Sequence, residues 1–226
     1  MEKRKHIVIL AAGDFPTHPV PLRALRQADF VVCCDSAYNS LSTIHGPLSA
    51  DFVVIGDGDS LSGEVKRRLG ERWIHVTEQD YNDLHKAVAW ATSKFNIQHS
   101  KFHILGATGR REDHTLGNIS YLATFDDEYP GIDLDMLTDF GRFFLLSPNP
   151  RQPSAHIPLP TFPGQQISIF PVDPSIPFSA TGLRWPVDNM KTTRWWQATL
   201  NEALADTFTL VSAGPLLVFQ TYDAKL

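Results

Sequence analysis

From residue 5 to about residue 140, short apolar runs alternate with longer amphipathic stretches, and this alternation limits the folds open to the chain. Helix-like stretches are clearest at 83–95 and 113–125. In the first of them, apolar residues recur at helical spacing. Strands that alternate with helices predict parallel βαβ units and a Rossmann-like α/β sheet covered on both faces. The apolar runs, each a predicted strand, lie at 6–12, 29–34, 51–56, 72–76, 101–106 and 132–138.

The pattern breaks near residue 147. Residues 148–163 contain six prolines, which neither a helix interior nor a central strand tolerates. We therefore predict two domains: an α/β domain over residues 1–147 and a smaller, sandwich-like all-β domain over residues 148–226. The strand-like segments of the second domain, separated by turn residues, lie at 166–171, 182–187, 207–212 and 216–221.

Composition excludes several classes of protein. A hydrophobic content of 42% and a charged content of 20% are ordinary for a globular protein, and the net charge of −5 argues against a nucleic-acid partner. No apolar run approaches the roughly 20 residues that cross a bilayer, so we expect a cytoplasmic protein without a membrane partner. Cys33 and Cys34 are neighbours in one predicted strand and point to opposite faces. We expect two small buried side chains in a reducing compartment, not a disulfide.

The first of three acidic segments follows the predicted strand 51–56. Asp57 and Asp59 lie two residues apart in a turn that contains glycine. Ligands of open α/β sheets bind beyond the carboxyl ends of the strands. Two carboxylates at this spacing can bind one Mg²⁺ and leave positions for phosphate oxygens and water. An Asp-Gly-Asp-Ser turn is also common on protein surfaces, but its place directly after a buried strand favours a site.

The second segment, Gln79 to Asp83, lies where a helix is predicted to begin. Aspartate is a preferred N-cap residue, and acids suit the first turn of a helix. We expect Asp83 to cap the helix. Asp80 lies in the loop before it and is the better candidate for a metal ligand.

The third segment, Gly106 to Thr115, is the most specific. A strand, a Gly-Ala-Thr-Gly turn and a helix that begins near Asp113 bring backbone N–H groups and the side chains of Arg110 and Arg111 near one point. Such a point suits an anionic oxygen. His114 could be a metal ligand, a base, or a residue that holds the neighbouring carboxylates. The segment lacks the Gly-Lys-Ser/Thr ending of a Walker A loop, and the spacing of Gly56 and Gly58 does not match a dinucleotide fingerprint.

Together these segments resemble the thiamin pyrophosphokinases. The family carries an Asp-Gly/Ala-Asn-Leu segment after its second strand, which is similar to residues 35–41 here. Its Gly-Asp-x-Asp-Ser motif matches residues 56–60, and its Asp-x-x-Asp helix start matches residues 80–83. Its longest signature, Gly-x-x-Gly-Gly-Arg-x-Asp-His-Thr-Leu-x-Asn, aligns with residues 106–118. The chain departs from the family pattern at Ser36, Gly58, Arg110 and Leu200, where the family usually has glycine, an aromatic residue, glycine and serine.

The resemblance implies transfer of a pyrophosphoryl group from ATP to the hydroxyl of thiamin, with release of AMP. It implies Mg²⁺ held by Asp57, Asp59 and Asp80, and ATP as co-substrate. It implies that Arg111 offsets charge on the transferred group and that Asp113 orients the nucleotide or that arginine. It also implies a homodimer whose active site lies at the subunit interface. The residues implied to bind nucleotide, cofactor or thiamin are Asp35, Asn39, Asp83, His114, Thr115 and Asn201.

The acceptor is less specified than the nucleotide. Thiamin carries a positive thiazolium ring, which an aromatic wall suits, and Trp185, Trp195 and Trp196 are candidates. At least one of them is expected in the core of the β domain instead. Two alternatives stay open: a Mg²⁺-ATP-dependent transferase that acts on another small alcohol, such as a pterin-like or pyrimidine compound, or a regulator that binds nucleotide or thiamin without turnover.

Overall fold

The computed structural model describes residues 3–41, 50–148 and 155–224. The chain separates into two compact units, residues 1–139 and residues 140–226. The division falls before the sequence-based boundary at 147/148, because the strand at 141–146 pairs with a strand near the C-terminus.

The first unit is an α/β domain. Its strands are β1 (Lys5–Leu10), β2 (Phe30–Cys34), β3 (Asp51–Gly56), β4 (Trp73–His75), β5 (Ser100–Leu105) and β6 (Leu134–Leu137). Its helices are α1 (Pro19–Arg26), α2 (Ala37–Leu41), α3 (Gly63–Leu69), α4 (Asp83–Lys94) and α5 (Glu112–Glu128). Each predicted strand in this part of the chain overlaps an observed one, and both predicted helices are present.

The six strands pair in parallel in the order β4-β3-β2-β1-β5-β6. The order reverses between β1 and β5, because the chain returns from the edge strand β4 through α4 to the opposite side of β1. In open parallel sheets a crevice forms at such a reversal, outside the carboxyl ends of the strands.

Both faces of this sheet are covered. All four side chains from Ile7 to Leu10 have no exposed surface, although successive residues of a strand point to opposite faces. Cys33 and Cys34 follow the same rule, since both are buried and neither forms a disulfide. Burial raises the pKa of the Cys33 thiol to about 12, so this cysteine behaves as a small apolar side chain.

The second unit is a β domain with two antiparallel sheets. One sheet has the order β12-β9-β14-β7, and the other has the order β11-β10-β13-β8. Buried residues from both sheets form one hydrophobic core, which includes Phe144, Ile167, Phe178 and Phe208. The predicted sandwich-like fold is thus confirmed. Its strands are β7 (Gly141–Leu146), β8 (Ala155–Pro160), β9 (Gln165–Pro171), β10 (Phe178–Thr181), β11 (Val187–Met190), β12 (Asn201–Glu202), β13 (Thr207–Ser212) and β14 (Leu216–Ala224).

The proline-rich segment contains a strand that the sequence did not predict. Within the described residues of 148–163, β8 holds Pro158 and Pro160 and pairs only with β13, at the edge of its sheet. An edge strand tolerates proline because the missing N–H can face away from the neighbouring strand. Residues 149–154 of this segment lie outside the described part of the chain.

The predicted strand at 182–187 is wrong. Gly182 has a φ of 82° and directly follows β10, so the extended backbone stops there. Pro186 has no backbone N–H to donate to a neighbouring strand. The segment is a turn between β10 and β11, in which Leu183 makes a single bridge to Ala203. No helix in the described part of the chain is long and apolar enough to cross a membrane.

Candidate active site

A cavity of about 380 Å³ lies in the first unit, where the strand order reverses. Its walls come from the segments that follow β1, β2, β3 and β5 and from the N-terminal parts of α4 and α5. Five of the predicted site residues line it: Asp35, Asp83, Arg111, His114 and Thr115. Two anionic groups and several cationic or N–H-bearing groups therefore share one crevice.

Asp35 is a buried carboxylate at the end of β2, with 4% of its surface exposed. Its Oδ2 accepts a hydrogen bond from the backbone N–H of Ser60 at 3.1 Å, whereas Oδ1 has no hydrogen-bond partner among the described residues. Its φ of 28° is unusual for a residue with a side chain. A buried oxygen without a partner is costly, so it marks a position where a ligand can add an interaction.

The Asp57 carboxylate is held by its own turn and by the second acidic segment. The backbone N–H of Asp59 donates to Oδ1 at 3.1 Å, and the amide of Gln79 donates to Oδ2 at 3.2 Å. These hydrogen bonds lower the pKa of Asp57, so it is ionised at neutral pH. Asp59 itself is exposed. The segment around Gln79 thus contacts the first acidic segment directly.

The start of α4 differs from the sequence-based expectation. Asn82, and not Asp83, is the N-cap residue, and its Oδ1 accepts from the backbone N–H of His85 at 3.0 Å. Asp83 is the first helical residue and is half-buried. Its Oδ2 would lie 3.3 Å from a Cβ added to Gly56, and such a Cβ would lie 3.0 Å from that of Asp35. The Asp35 side chain and the Asp83 carboxylate therefore flank one glycine.

Lys86 is a site residue that the sequence analysis missed. Its side chain is 5% exposed, and its Nζ lies 3.5 Å from Oδ1 of Asp83. Burial raises the pKa of Asp83, and the negative charges of Asp57 and Asp35 raise it further. The positive charge of Lys86 lowers it, but the net pKa stays above its usual value. The signal in the sequence was a lysine among the apolar positions of α4, three residues after an aspartate.

The predicted site residues of the first unit that lie outside the lining of the cavity are Asn39, Asp57, Asp59, Asp80 and Asp113. Asp80 is exposed, and its backbone N–H is bonded to the carboxylate of Glu78. Asn39 is on α2, where its backbone N–H donates to the carbonyl of Ser36 at 3.0 Å. Among the described residues, no three histidine, cysteine, aspartate or glutamate side chains lie close enough together to hold a metal ion.

The third segment presents an arginine held by an aspartate. Arg111 donates from Nε and Nη2 to the two carboxylate oxygens of Asp113, at 3.1 and 2.6 Å. This contact lowers the pKa of Asp113. Helix α5 begins at Glu112, one residue before Asp113 as predicted, and Arg111 is its N-cap residue. The Arg111 guanidinium is therefore oriented beside the first turn of a helix, which suits an anion.

Asparagine side chains join the N-terminal parts of α4 and α5. Nδ2 of Asn82 donates to Oδ1 of Asn118 at 3.1 Å, and Nδ2 of Asn118 donates to the carbonyl of Ala107 at 2.8 Å. Both asparagines line the cavity. This contact could not be predicted from the sequence, because the two residues are 36 positions apart.

Family models match both units of the chain. The model of the thiamin pyrophosphokinase catalytic domain matches residues 22–133, and the model of the thiamin pyrophosphokinase substrate-binding domain matches residues 154–219. The chain belongs to the thiamin pyrophosphokinase family.

Related proteins and structures carry the same family name. Thiamine pyrophosphokinase 1 of Oryza sativa subsp. japonica is 36% identical over 145 residues, which are 61% of this chain and 53% of that protein. Thiamine pyrophosphokinase of Bacillus subtilis is 38% identical over 71 residues, which are 30% of this chain and 32% of that protein. The chain thus spans about half the length of the first of these relatives.

Solved structures support the fold. Thiamin pyrophosphokinase from Candida albicans has a TM-score of 0.80 at 18% identity, covering 97% of this chain and 90% of that one. The Bacillus subtilis structure has a TM-score of 0.72 at 22% identity, covering 96% and 99%. At such low identity this likeness concerns the fold alone.

The structure explains one departure from the usual thiamin pyrophosphokinase pattern. Gly58, where an aromatic residue is usual, has a φ of 85°, and a Cβ at this position would lie 2.8 Å from the indole of Trp73. The ammonium of Lys66 lies 5.8 Å from the centre of that indole. The space beside this turn is thus filled by an aromatic ring from β4, and a side chain at 58 would not fit.

In the substrate-binding domain, the Asn201 side chain supports Trp185. Its Oδ1 accepts a hydrogen bond from the backbone N–H of Trp185 at 3.1 Å, and its Nδ2 donates to the backbone carbonyl of Trp185 at 2.7 Å. Leu200, which replaces the usual serine, is exposed and has a φ of 58°. Asn201 is 6% exposed, so within this domain it positions the backbone of a tryptophan.

The expectation that at least one of three tryptophans belongs to the core is wrong. Trp185, Trp195 and Trp196 have exposed fractions of 55%, 75% and 69%. The core is filled by phenylalanine and aliphatic side chains. Exposed tryptophans close together in sequence favour a role in binding.

Proposed function

We propose that this protein is a thiamin pyrophosphokinase, which transfers a pyrophosphoryl group from ATP to the hydroxyl of thiamin. The hydroxyl oxygen bonds to the β-phosphorus of ATP, and the bond from that phosphorus to the oxygen bridging to the α-phosphorus breaks. AMP leaves, thiamin diphosphate forms, and the hydroxyl proton passes to water or to a carboxylate. Membership of the family and the cavity at the reversal of strand order support this proposal.

The observation that carries the proposal is the distribution of charge around the cavity. The carboxylates of Asp35 and Asp83 lie on one part of its lining, and the side chains of Arg110 and Arg111 lie on another. A triphosphate with a bound cation requires both signs of charge, because the protein contributes to such transfers mainly by positioning and by charge stabilisation. Arg111, beside the first turn of α5, would stabilise charge on the transferred group.

The acidic residues fit Mg²⁺ that binds together with a polyphosphate. Mg²⁺ is usually held by one or two carboxylates, with phosphate oxygens and water as its other ligands. The unpartnered Oδ1 of Asp35 and the charge of Asp57 are consistent with such a cation. When bound, Mg²⁺ would neutralise charge on the phosphates. We propose that its one or two carboxylate ligands come from Asp57, Asp59 and Asp80, and we add Asp83 to this set because its carboxylate lies beside Gly56, next to the Asp35 side chain.

The other predicted residues keep supporting roles in this proposal. Asp113 would orient Arg111, and Asn39, His114 and Thr115 would contact the nucleotide. Asn201 would act on thiamin through Trp185. The positive thiazolium ring suits the exposed tryptophans of the β domain.

We also propose a homodimer in which each active site combines one subunit's catalytic domain with the other's β domain. Mixing Asp59→Asn with Asn201→Ala, at a thiamin concentration too low for activity of either variant alone, tests this arrangement. A dimer with shared sites would regain up to about a quarter of the activity after subunit exchange, since random pairing of two subunits leaves one intact site in half of the molecules. A site formed within one chain would regain none.

AMP formation from Mg²⁺-ATP, measured with and without thiamin, tests the function directly. AMP that appears only with thiamin, with an equal amount of thiamin diphosphate, is the expected result. AMP formed only with another small alcohol would instead support the alternative acceptor. Binding of ATP and thiamin without turnover would support the non-catalytic regulator.

A further inference from the structure

The two arginines of the third segment are held very differently. Arg111 makes two short hydrogen bonds to Asp113. The Nε of Arg110 lies 3.6 Å from Oδ1 of Asp14, which is too long for a hydrogen bond. Both side chains of this second pair are more than 60% exposed, at 62% and 66%, and an exposed ion pair of this kind contributes little to stability. Arg110 lines the cavity and can exchange its partner at low cost.

The position of Asp14 is set by the backbone around it. The backbone N–H groups of Gly13 and Asp14 donate to the carbonyls of Gly106 and Thr108, at 2.6 and 2.9 Å. These bonds join the segment after β1 to the segment after β5. A Cβ at Gly109, whose φ is 92°, would lie 2.5 Å from Oδ2 of Asp14. Asp14 therefore lies against a glycine, and its carboxylate remains beside Arg110.

We propose that Arg110 is an additional binding residue for the polyphosphate of the nucleotide, and that Asp14 competes with this polyphosphate for the guanidinium. Without nucleotide, Arg110 lies beside Asp14. When a polyphosphate enters the cavity, the guanidinium leaves the carboxylate and donates to phosphate oxygens. A polyphosphate carries more negative charge than one carboxylate and accepts a guanidinium in a two-pronged geometry, so the exchange is favourable.

This inference rests on the proposed nucleotide site and adds a residue where the family usually has glycine. Arg110 and Arg111 then have separate functions. Arg111 is fixed by Asp113 before the nucleotide binds, whereas Arg110 closes on the phosphates as they bind. A nucleotide with more phosphates gains more from Arg110, so the residue favours ATP over AMP.

The test is a mutant cycle on nucleotide affinity, measured by calorimetry with ATP or AMP and Mg²⁺, without thiamin. Arg110→Gly should weaken the Kd for ATP by about 10-fold, the lower end of what a hydrogen bond to a charged group contributes, and change that for AMP by less than about 2-fold. Asp14→Asn should tighten the Kd for ATP by about 3-fold, which is the typical size of an exposed ion pair. The double variant should match Arg110→Gly, because Asp14 acts only through Arg110.

Arg67→Ala is the matched control, since it removes an exposed arginine of α3 that does not line the cavity. Its Kd for ATP should equal that of the unchanged protein, and the thermal midpoint of each variant reports on folding. The proposal is overturned if Arg110→Gly binds ATP normally, if Asp14→Asn tightens binding equally when Arg110 is absent, or if the unchanged protein does not bind ATP. Failure of the proposed function differs from these results: the affinity changes persist while thiamin-dependent AMP is absent.

Discussion

The ring of Tyr81 lies flat on the imidazole of His85, with ring centres 3.9 Å apart and ring planes 12° from parallel. Nε2 of His85 lies 2.9 and 3.1 Å from the two carboxylate oxygens of Glu128. Tyr81 thus holds the imidazole at its face and Glu128 holds it at one ring nitrogen. Tyr81 belongs to the segment whose Gln79 donates to the Asp57 carboxylate. The stack therefore anchors, at one end, the segment that orients Asp57.

Replacing Tyr81 with alanine should lower kcat for AMP formation by about 10-fold, which corresponds to about 1.4 kcal/mol of transition-state stabilisation. The Kd for ATP should change by less than about 2-fold, because Tyr81 does not line the cavity. Tyr81→Phe should retain kcat, since the contact depends on the ring. The measurement is steady-state kinetics together with calorimetry.

Tyr121→Ala is the control for this prediction. Tyr121 also contacts the His85 ring, with centres 5.5 Å apart, but it lies on α5 and not in the segment with Gln79. It should lower stability by about 1 kcal/mol and leave kcat unchanged. Equal losses of kcat in the two alanine variants would show that the effect comes from packing around His85.

Asp83 and Asp80 should differ in their importance. Asp83 is half-buried and lies in the charge field of Asp57 and Asp35, whereas Asp80 is exposed. We expect Asp83→Asn to lower kcat by at least about 100-fold and Asp80→Asn by less than about 10-fold, on the scale of losing a group that contacts the reacting phosphates. A Mg²⁺ titration of activity should shift to higher concentration in the first variant.

The loss of kcat in Asp83→Asn should not result from unfolding of the protein. The substitution removes repulsion from Asp57 and Asp35, but it also removes the partner of the buried Lys86. These effects oppose each other, so the free energy of unfolding at neutral pH should change little. If Asp80→Asn has the larger loss of kcat, Asp80 is the more important of the two proposed metal ligands and Asp83 is secondary.

The strands of the catalytic domain could be predicted because they are buried on both faces. Parallel strands of this kind are continuous apolar runs, and each predicted run overlaps an observed strand. The strands of the β domain were harder to predict from the sequence. The edge position that lets β8 contain Pro158 and Pro160 is a property of the sheet, and the left-handed backbone of Gly182 is not encoded by hydrophobic pattern. The expected boundary at 147/148 lies after β7, and the pairing of β7 with β14 could not be read from the sequence because the two strands are distant along the chain.

The candidate site was predictable where a residue directly follows a strand. Asp57 was predicted in this way and the third segment from its glycines and arginines, whereas Asp35 followed only from the family resemblance. Lys86 was missed because its burial depends on packing against the acidic group. The contact between Asp14 and Arg110 joins two loops that meet only in the folded sheet. Sequence thus predicts which segments form the site, and the fold determines which side chains meet.

A carboxylate in the sheet should make stability depend on pH. Asp135 is 3% exposed, its Oδ1 lies 2.6 Å from Nδ1 of His103, and its Oδ2 lies 3.0 Å from Nζ of Lys101. Burial raises the pKa of Asp135, but the contacts with His103 and Lys101 outweigh burial and hold it below the ordinary value. The stabilisation is therefore present above the unfolded pKa, near 3.9, and is lost as the pH falls through the lower folded pKa.

Asp135→Asn should accordingly destabilise the protein at pH 7 by about 3 kcal/mol, because Lys101 and His103 lose a buried partner. The difference from the unchanged protein should shrink as the pH falls below the unfolded pKa and Asp135 takes up a proton in the folded state as well. Urea unfolding at several pH values measures it. Asp188→Asn, at an exposed position of β11, is the control and should change stability by less than about 0.5 kcal/mol. A difference in the free energy of unfolding that stays constant between pH 7 and pH 2 would contradict the stabilising role assigned to the Asp135 carboxylate.

The exposed tryptophans should affect thiamin and not the fold. Trp185→Ala should raise the KM for thiamin by about 10-fold, since a cation–π contact with the thiazolium ring is worth up to about 2 kcal/mol. Because Asn201 holds both the backbone N–H and the backbone carbonyl of Trp185, Asn201→Ala should raise this KM as well.

Trp195→Ala and Trp196→Ala are matched comparisons. All three alanine variants at tryptophan positions should unfold within about 1 kcal/mol of the unchanged protein, because these side chains are exposed. If the KM for thiamin is unchanged in all three, none of the tryptophans is the aromatic wall.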